Sequence, residues 1–190
     1  MDIIRTAVPS DAPALLEIYA PYILNTAATF ETEVPSAENF AQRIITYQQD
    51  WPWLVYESDG VIAGYAYATK HRERSAYQWC VESSVYVRDH FHQKGIAMSL
   101  YEKLFPILKY QGCRNVFAVI TLPNDKSVRF HEKNGFTWLT DYKNIGYKLG
   151  RWHTVSWWQL TLNDYDANPA PVIKFSEVGA QFLHSVLEKV

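Results

Sequence analysis

The sequence predicts an α+β domain in three layers: a mixed, mostly antiparallel central sheet with one βαβ crossover at its centre, and helices on both faces. Three observations predict it. Two β-rich runs, residues 53–57 and 61–67, flank Ser58-Asp59-Gly60, and Asp-Gly between such runs is a strong hairpin signal. Two apolar stripes at helical spacing precede that hairpin, and a strand–helix–strand–helix–strand run follows it. The hairpin must be antiparallel, whereas strands separated by a helix can pair in parallel.

In chain order, Ile3-Ile4 and Ala7-Val8 open as a short strand. Ser10 offers an N-cap to a first helix, with Pro13 in its first turn and Leu15, Leu16, Ile18, Tyr19, Tyr22 and Ile23 behind it. A polar connection, 25–35, leads to a second helix capped by Ser36, with Phe40, Ile44 and Tyr47 on one stripe. After the hairpin, a basic loop, 70–74, precedes a strand over 77–87. A glycine-bearing turn then opens a helix that runs to Tyr110 and ends at Gln111-Gly112. Pro106 inside it removes a backbone donor and is expected to kink it. Residues 116–120 read as an apolar strand, Pro123-Asn124 starts a helix over 125–133, and Asn134-Gly135 stops it. Residues 136–142 and 154–162 close the sheet as a strand pair. Past Asn163 the composition shifts, so the chain is read as one domain, 1–163, with a linker and tail helix over 164–190.

Composition narrows the function. A chain of 190 residues that is 48% hydrophobic can bury a real core and is not disordered. Eighteen Lys plus Arg against 20 Asp plus Glu leave a net charge of −2, which argues against general nucleic-acid binding. Cys80 and Cys113 cannot make a disulfide framework, and neither sits at metal-ligand spacing, so no metal is expected. The N-terminus has no apolar signal core, and the apolar run 116–122 falls far short of the roughly 20 residues of a membrane span. A cytoplasmic protein with no membrane partner follows as the expectation. The unusual entry is the aromatic load of 7 Trp, 13 Tyr and 9 Phe.

Chemistry is sought at the crossover, because open sheets bind ligands beyond the carboxyl ends of parallel strands. Gln93-Lys94-Gly95-Ile96-Ala97-Met98, following His92, joins a strand to a helix start. Such a turn exposes successive backbone N–H groups with the helix dipole behind them, a nest suited to a pyrophosphate. It lacks the lysine–serine/threonine ending of a P-loop and the three glycines of a dinucleotide site, which disfavours a nucleoside triphosphate or NAD. Taken alone this is a weak signal, because a glycine in a strand–helix turn is more often purely structural. Downstream, Asn124, Ser127 and His131 share one helix face, and Gly135-Phe136 follow.

These two segments resemble the acyl-coenzyme A site of the GCN5-related N-acetyltransferase superfamily, whose loop runs Gln/Arg-x-x-Gly-x-Gly/Ala and whose next helix reads Asn-x-x-Ala-x-x-x-Tyr-x-x-x-Gly-Phe. Other stretches are similar to the phosphinothricin and methionine sulfone/sulfoximine acetyltransferases: Thr29-Phe30-Glu31-Thr32-Glu33, residues 77–87, Leu122-Pro123-Asn124-Asp125, Ser127-Val128-Arg129 and Gly150-Arg151-Trp152-His153. The likeness covers residues 3–162; the tail has no counterpart. His92 departs from the usual Gln or Arg, which removes one side-chain contact and leaves the backbone nest intact. His131 replaces the superfamily's usual tyrosine and agrees with the phosphinothricin group.

The resemblance implies an acyl-CoA N-acyltransferase fold, acetyl-CoA as co-substrate, a small amino-acid-like amine acceptor, a homodimer, and a set of roles. Glu82 is the candidate general base, against a plain strand-surface carboxylate. His131 is the candidate acid or second base near the sulfur, against a packed histidine. Tyr101 is a weaker hydroxyl candidate, against core packing. The backbone of Val85, Tyr86 and Val87 is expected to pair with the pantetheine arm, with an amide facing the thioester oxygen. Asn124 is expected either to bond that arm or simply to cap its helix. For the acceptor, Phe30, Thr32, Tyr77 and Trp79 are expected to form walls, and Arg74, with Arg72, to meet an anionic group; a solvated basic loop is the other reading. On the parity of an uninterrupted strand over 77–87, Glu82 and Trp79 would face opposite ways. Tyr19, Tyr22, Phe40, Tyr47, Phe117 and Phe136 read as core, and Trp152, Trp157 and Trp158 as closing-strand residues whose exposed share could meet a partner. Two competing functions remain: protein or peptide N-acetylation, and a non-catalytic acyl-CoA-binding module.

Overall fold

The computed structural model describes residues 2–188. β1 (Asp2–Thr6) is followed by a 3₁₀ turn (Pro9–Asp11) and α1 (Ala12–Asn25), and then by α2 (Ala37–Asp50). β2 (Trp53–Ser58) and β3 (Val61–Lys70) form the hairpin, turning at Asp59 and Gly60, both at positive φ as a tight hairpin requires. A 3₁₀ turn (Ser75–Tyr77) precedes β4 (Cys80–Val87), α3 (Ile96–Gln111), β5 (Asn115–Thr121) and α4 (Asp125–Lys133). β6 (Thr137–Lys148) and β7 (Arg151–Thr161) close the sheet, and α5 (Ala180–Leu187) ends the described chain.

The seven strands run in the order β1-β2-β3-β4-β5-β7-β6. Every pairing is antiparallel except β4 with β5, the expected crossover around α3. On one sheet face α1 and α2 bury Leu15, Ile18, Tyr19, Phe40 and Ile44 against Trp53, Val55 and Tyr65. On the other, α3 buries Leu100, Leu104, Ile107 and Leu108 against Val81, Val116 and Ala118. Each such side chain contributes about 1.5–3 kcal/mol of burial, so both layers are needed to hold the sheet.

Several expected boundaries move. Ser10 lies inside the 3₁₀ turn, and Asp11 takes the cap position of α1, its carboxylate instead accepting from the Arg5 guanidinium and Val8 N. Ser36 does cap α2, its Oγ accepting from Asn39 N at 3.2 Å. The strand expected from residue 77 begins at Cys80, because Ser75–Tyr77 turn and Trp79 O accepts from Arg114 N instead of joining a ladder. Pro106 lies within α3, which is assigned without a break; Pro106 and Glu102, whose carbonyl loses its donor, are both exposed to water. β6 and β7 are longer than expected and meet at a turn on Leu149 and Gly150.

The segment after Asn163 packs on the body. Phe175 and Val178 join the α3-side core, and Phe182 stacks on Tyr110 with centroids 4.0 Å apart. Gln111 Nε2 donates to Asp50 O and Ile173 O, both at 2.8 Å, tying α2, α3 and the tail together. The expected tail helix over 176–190 is a short 3₁₀ turn, Phe175–Glu177, then α5; residues 189–190 lie outside the described residues.

Candidate active site

The pairing of β4 with β5 covers only Cys80 with Asn115, Val81 with Val116 and Glu82 with Phe117. β4 stays paired with β3 as far as Val87, and β5 with β7 as far as Thr121. The two central strands therefore diverge beyond Glu82, and a cavity of about 700 Å³ opens between them. Arg88 N donates to Ala63 O and His71 N to Cys80 O, so even-numbered residues of β4 turn their backbone groups toward β3. By the alternation of an antiparallel ladder, Ser83 and Val85 turn theirs into the gap. Val85 thus offers an N–H and a C=O to whatever lies there, as a strand edge does.

At the far end of β4 the chain enters the glycine turn. Gln93 has φ +63° and Gly95 φ +81°, and this backbone course leaves the first amides of α3 facing the cavity. Ser99 N is bonded to Gly95 O, while the N–H groups of Ile96, Ala97 and Met98 precede the first intrahelical acceptor. They form a positive rim suited to an anion. Lys94 does not aim at that rim: its ammonium stands 4.7 Å from the Phe91 ring centroid. His92 has its own task. Its Nε2 donates to Val87 O at 3.0 Å, beside the Tyr22 hydroxyl donating to the same oxygen at 2.9 Å, and so anchors the turn to the strand end. Tyr22, expected in the core, lines the cavity through this role.

Across the gap, Asn124 caps α4 through Oδ1, which accepts from Ser127 N at 3.2 Å, and it also lines the cavity. His131 is buried at 6% exposure, with ring edges against Phe130 and Phe136. Its Nδ1 lies 2.8 Å from Ser127 O. A carbonyl only accepts, so Nδ1 carries the proton and Nε2 is the lone-pair nitrogen. Tyr101 Oη, 3.3 Å from Nε2, therefore donates to it and accepts in turn from Ser83 Oγ at 3.1 Å. Burial lowers the His131 pKa and raises that of Tyr101, so both are neutral near pH 7. Both line the cavity.

Glu82 lies on the opposite face of the sheet, where β4 alternates Glu82, Ser84 and Tyr86 toward α1. His71 Nδ1 is 2.9 Å from Glu82 Oε1, and the His71 ring stands 4.5 Å from that of Phe117 and 5.7 Å from that of Trp157. Phe117 was expected in the core; it belongs instead to this partly buried wall. His71 was missed because it fell within a loop read only for its charge. Counting the β3–β4 register from Thr69 opposite Glu82 would have placed it on that face.

The expected acceptor residues are more dispersed. None of Phe30, Thr32, Arg74, Tyr77 and Trp79 lines the cavity. Tyr77 is half-exposed, its ring 6.1 Å from His71. Arg72, Arg74 and Thr32 are exposed. Trp79 is turned to the tail, its Nε1 donating to Ala170 O at 2.8 Å, so the strand-parity argument linking it to Glu82 does not apply. Phe30 lies on Gly146, where an added Cβ would come within 2.3 Å of its ring. The same connection is pinned by Lys148 Nζ donating to Thr29 O at 2.7 Å, by the Tyr19–Thr29 hydroxyl pair at 2.7 Å and by the Arg43–Glu31 ion pair.

The cavity thus joins a split parallel strand pair to an amide nest at one end and a buried Tyr–His pair opposite. The Acetyltransferase (GNAT) domain family matches residues 4–157. The chain belongs to this GNAT family. It is an acetyl-CoA-dependent N-acetyltransferase with the acyl-CoA N-acyltransferase fold. A phosphinothricin N-acetyltransferase of Streptomyces viridochromogenes is 40% identical over 176 residues, which cover 92% of this chain and 95% of that one. The L-methionine sulfoximine/L-methionine sulfone acetyltransferase of Salmonella typhimurium is 32% identical, covering 88% of this chain and 98% of that one. Among solved structures, a GNAT superfamily phosphinothricin acetyltransferase from Sinorhizobium meliloti, in complex with acetyl-CoA, superposes with a TM-score of 0.84 at 31% identity, over 92% of this chain and 98% of that one. Among the described residues of this acetyltransferase, no group of three His, Cys, Asp or Glu side chains could hold a metal ion, and no helix is long and apolar enough to cross a membrane.

Proposed function

We propose that this acetyltransferase binds acetyl-CoA in the gap between β4 and β5 and transfers the acetyl group to the amine of a small amino acid of the phosphinothricin or methionine sulfone/sulfoximine type. The observation that carries the reading is the end of β4–β5 pairing at Glu82: the strands part beyond that residue, and Tyr101 and His131 line the cavity that opens there. The names of the relatives support the acceptor class. The rim at Gly95, Ile96, Ala97 and Met98 would hold the pyrophosphate, and Val85 the pantetheine arm, with Asn124 beside it.

Each residue then has a chemical task. The acceptor arrives as an ammonium, and Glu82 takes one proton, directly or through a water. The freed nitrogen attacks the thioester carbon, and the Val85 N–H faces the oxygen that gains charge. A new N–C bond forms and the C–S bond breaks. His131, neutral with a lone pair on Nε2, serves as a second base instead of an acid: through Tyr101 it takes the remaining surplus N–H proton and returns it to the departing sulfur. One proton leaves through Glu82 to solvent for each acetyl group transferred.

Release of free coenzyme A would be followed with acetyl-CoA and a panel of phosphinothricin, methionine sulfone, methionine sulfoximine, ordinary amino acids and a peptide. Turnover confined to the first three supports the reading. Turnover of the peptide alone replaces it with protein acetylation, and cofactor binding without any thiol release leaves a binding module.

A cytoplasmic homodimer completes the proposal. Both cysteines are free. Edge strand β6, the turn after it and the start of β7 display Trp138, Ile145, Tyr147, Leu149 and Trp152, all more than half exposed, an apolar strip suited to a second copy. Sedimentation of the wild type at twice the monomer mass, and of Trp152→Arg nearer to it, is the expected result; a monomeric wild type rejects the dimer.

A further inference from the structure

We infer that His71 positions Glu82 for proton abstraction, so that the working base is a Glu82–His71 pair and not a lone carboxylate; this rests on Glu82 being the base. An ionised carboxylate only accepts hydrogen bonds, so the 2.9 Å contact has His71 Nδ1–H donating to Glu82 Oε1. The imidazole is held from several directions. Its backbone N–H reaches Cys80 O at 3.4 Å, one step along the β3–β4 ladder. Phe117, Trp157 and Tyr77 surround the ring with centroids 4.5, 5.7 and 6.1 Å away, and the side chain is only 12% exposed. Glu82, at 32%, is the more open partner. The arrangement joins a ring locked by packing to a carboxylate that would otherwise turn freely in water. Fixing Oε1 leaves Oε2 as the oxygen that can meet the incoming ammonium or its bridging water. Because His71 does not touch the reacting atoms, its loss should affect orientation of the base and leave the acetyl-CoA cleft alone.

The two properties of the imidazole, its ring and its N–H, can be separated. His71→Phe keeps a ring between Phe117 and Trp157 but has no donor; His71→Asn keeps a donor near the Nδ1 position but no ring. Both would be compared with wild type and Glu82→Gln for kcat and KM with phosphinothricin, and for acetyl-CoA affinity by calorimetry. Misplacement of a reacting group by about 1 Å can cost on the order of 100-fold. The expected result is a kcat lowered about 10- to 100-fold in His71→Phe, largely restored in His71→Asn, with acetyl-CoA affinity unchanged in both. A wild-type kcat in His71→Phe overturns the inference, and so does an equal loss in the two variants, which would mark a packing role. Full activity in Glu82→Gln overturns the base assignment itself. Loss in Glu82→Gln with no loss in His71→Phe removes only the His71 role.

Discussion

Tyr101 Oη lies 3.3 Å from His131 Nε2, and because the other ring nitrogen is committed to Ser127 O, the tyrosine is the donor of that bond. The cavity is thus served by a neutral imidazole whose free lone pair is reached through a phenol. If the pair shuttles a proton to sulfur, Tyr101→Phe should lower kcat by about 100-fold. Affinity for acetyl-CoA should hardly change. Steady-state kinetics with calorimetry checks this; a wild-type kcat would leave Tyr101 as packing only.

His131 also ties stability to pH. Burial lowers its pKa below the ordinary 6.5, so between the two values the unfolded chain binds more protons than the folded one. The stability that depends on neutral His131 is complete above 6.5 and is lost as pH falls through the folded value. Denaturant midpoints should therefore hold above neutrality and decline in acid, more gently for His131→Gln. Equal acid slopes in the two proteins would assign the decline to other groups.

Gly95 stands at φ +81° with open space where a Cβ would go, so Gly95→Ala introduces strain without a clash. A left-handed conformation costs an L-residue about 1–2 kcal/mol, which either destabilises the fold or flattens the nest. Acetyl-CoA binding is expected to weaken about tenfold, the equivalent of about 1.4 kcal/mol. Calorimetry that finds unaltered affinity would place the pyrophosphate elsewhere.

Gly146→Ala tests the opposite end. The added methyl would meet the Phe30 ring at 2.3 Å and displace the connection between α1 and α2. The expected outcome is a higher KM for the acceptor with unchanged acetyl-CoA affinity, so the two ends of the site are read separately. A change in cofactor affinity alone would remove Phe30 from the acceptor side.

The tail is part of the folded body. Phe175→Ala empties a position that is 8% exposed in the α3-side core and should cost about 3 kcal/mol, seen as a lower denaturant midpoint. An unchanged midpoint would mean that the segment is a loose appendage.

What the sequence determined by itself was local. Asp59-Gly60 carries its own turn, Ser36 its own cap, Gly95 its own backbone course, and the helix over 125–133 its own start and stop, because each depends on residues a few positions apart. The site proposed for acetyl-CoA rests on stretches legible for the same reason: the glycine turn and the Asn124–Ser127–His131 face are each one contiguous stretch, and both line the cavity. Tertiary structure decided how those pieces meet. Only the register of β4 against β5 could show that pairing ends at Glu82. Only sheet parity could put Glu82 and His131 on opposite faces, and only contacts between distant segments could join His71 to Glu82 or turn Trp79 toward Ala170. A shift of one residue between strands reverses every side chain on them, so these relations follow from how separate strands align, which no single stretch of sequence contains.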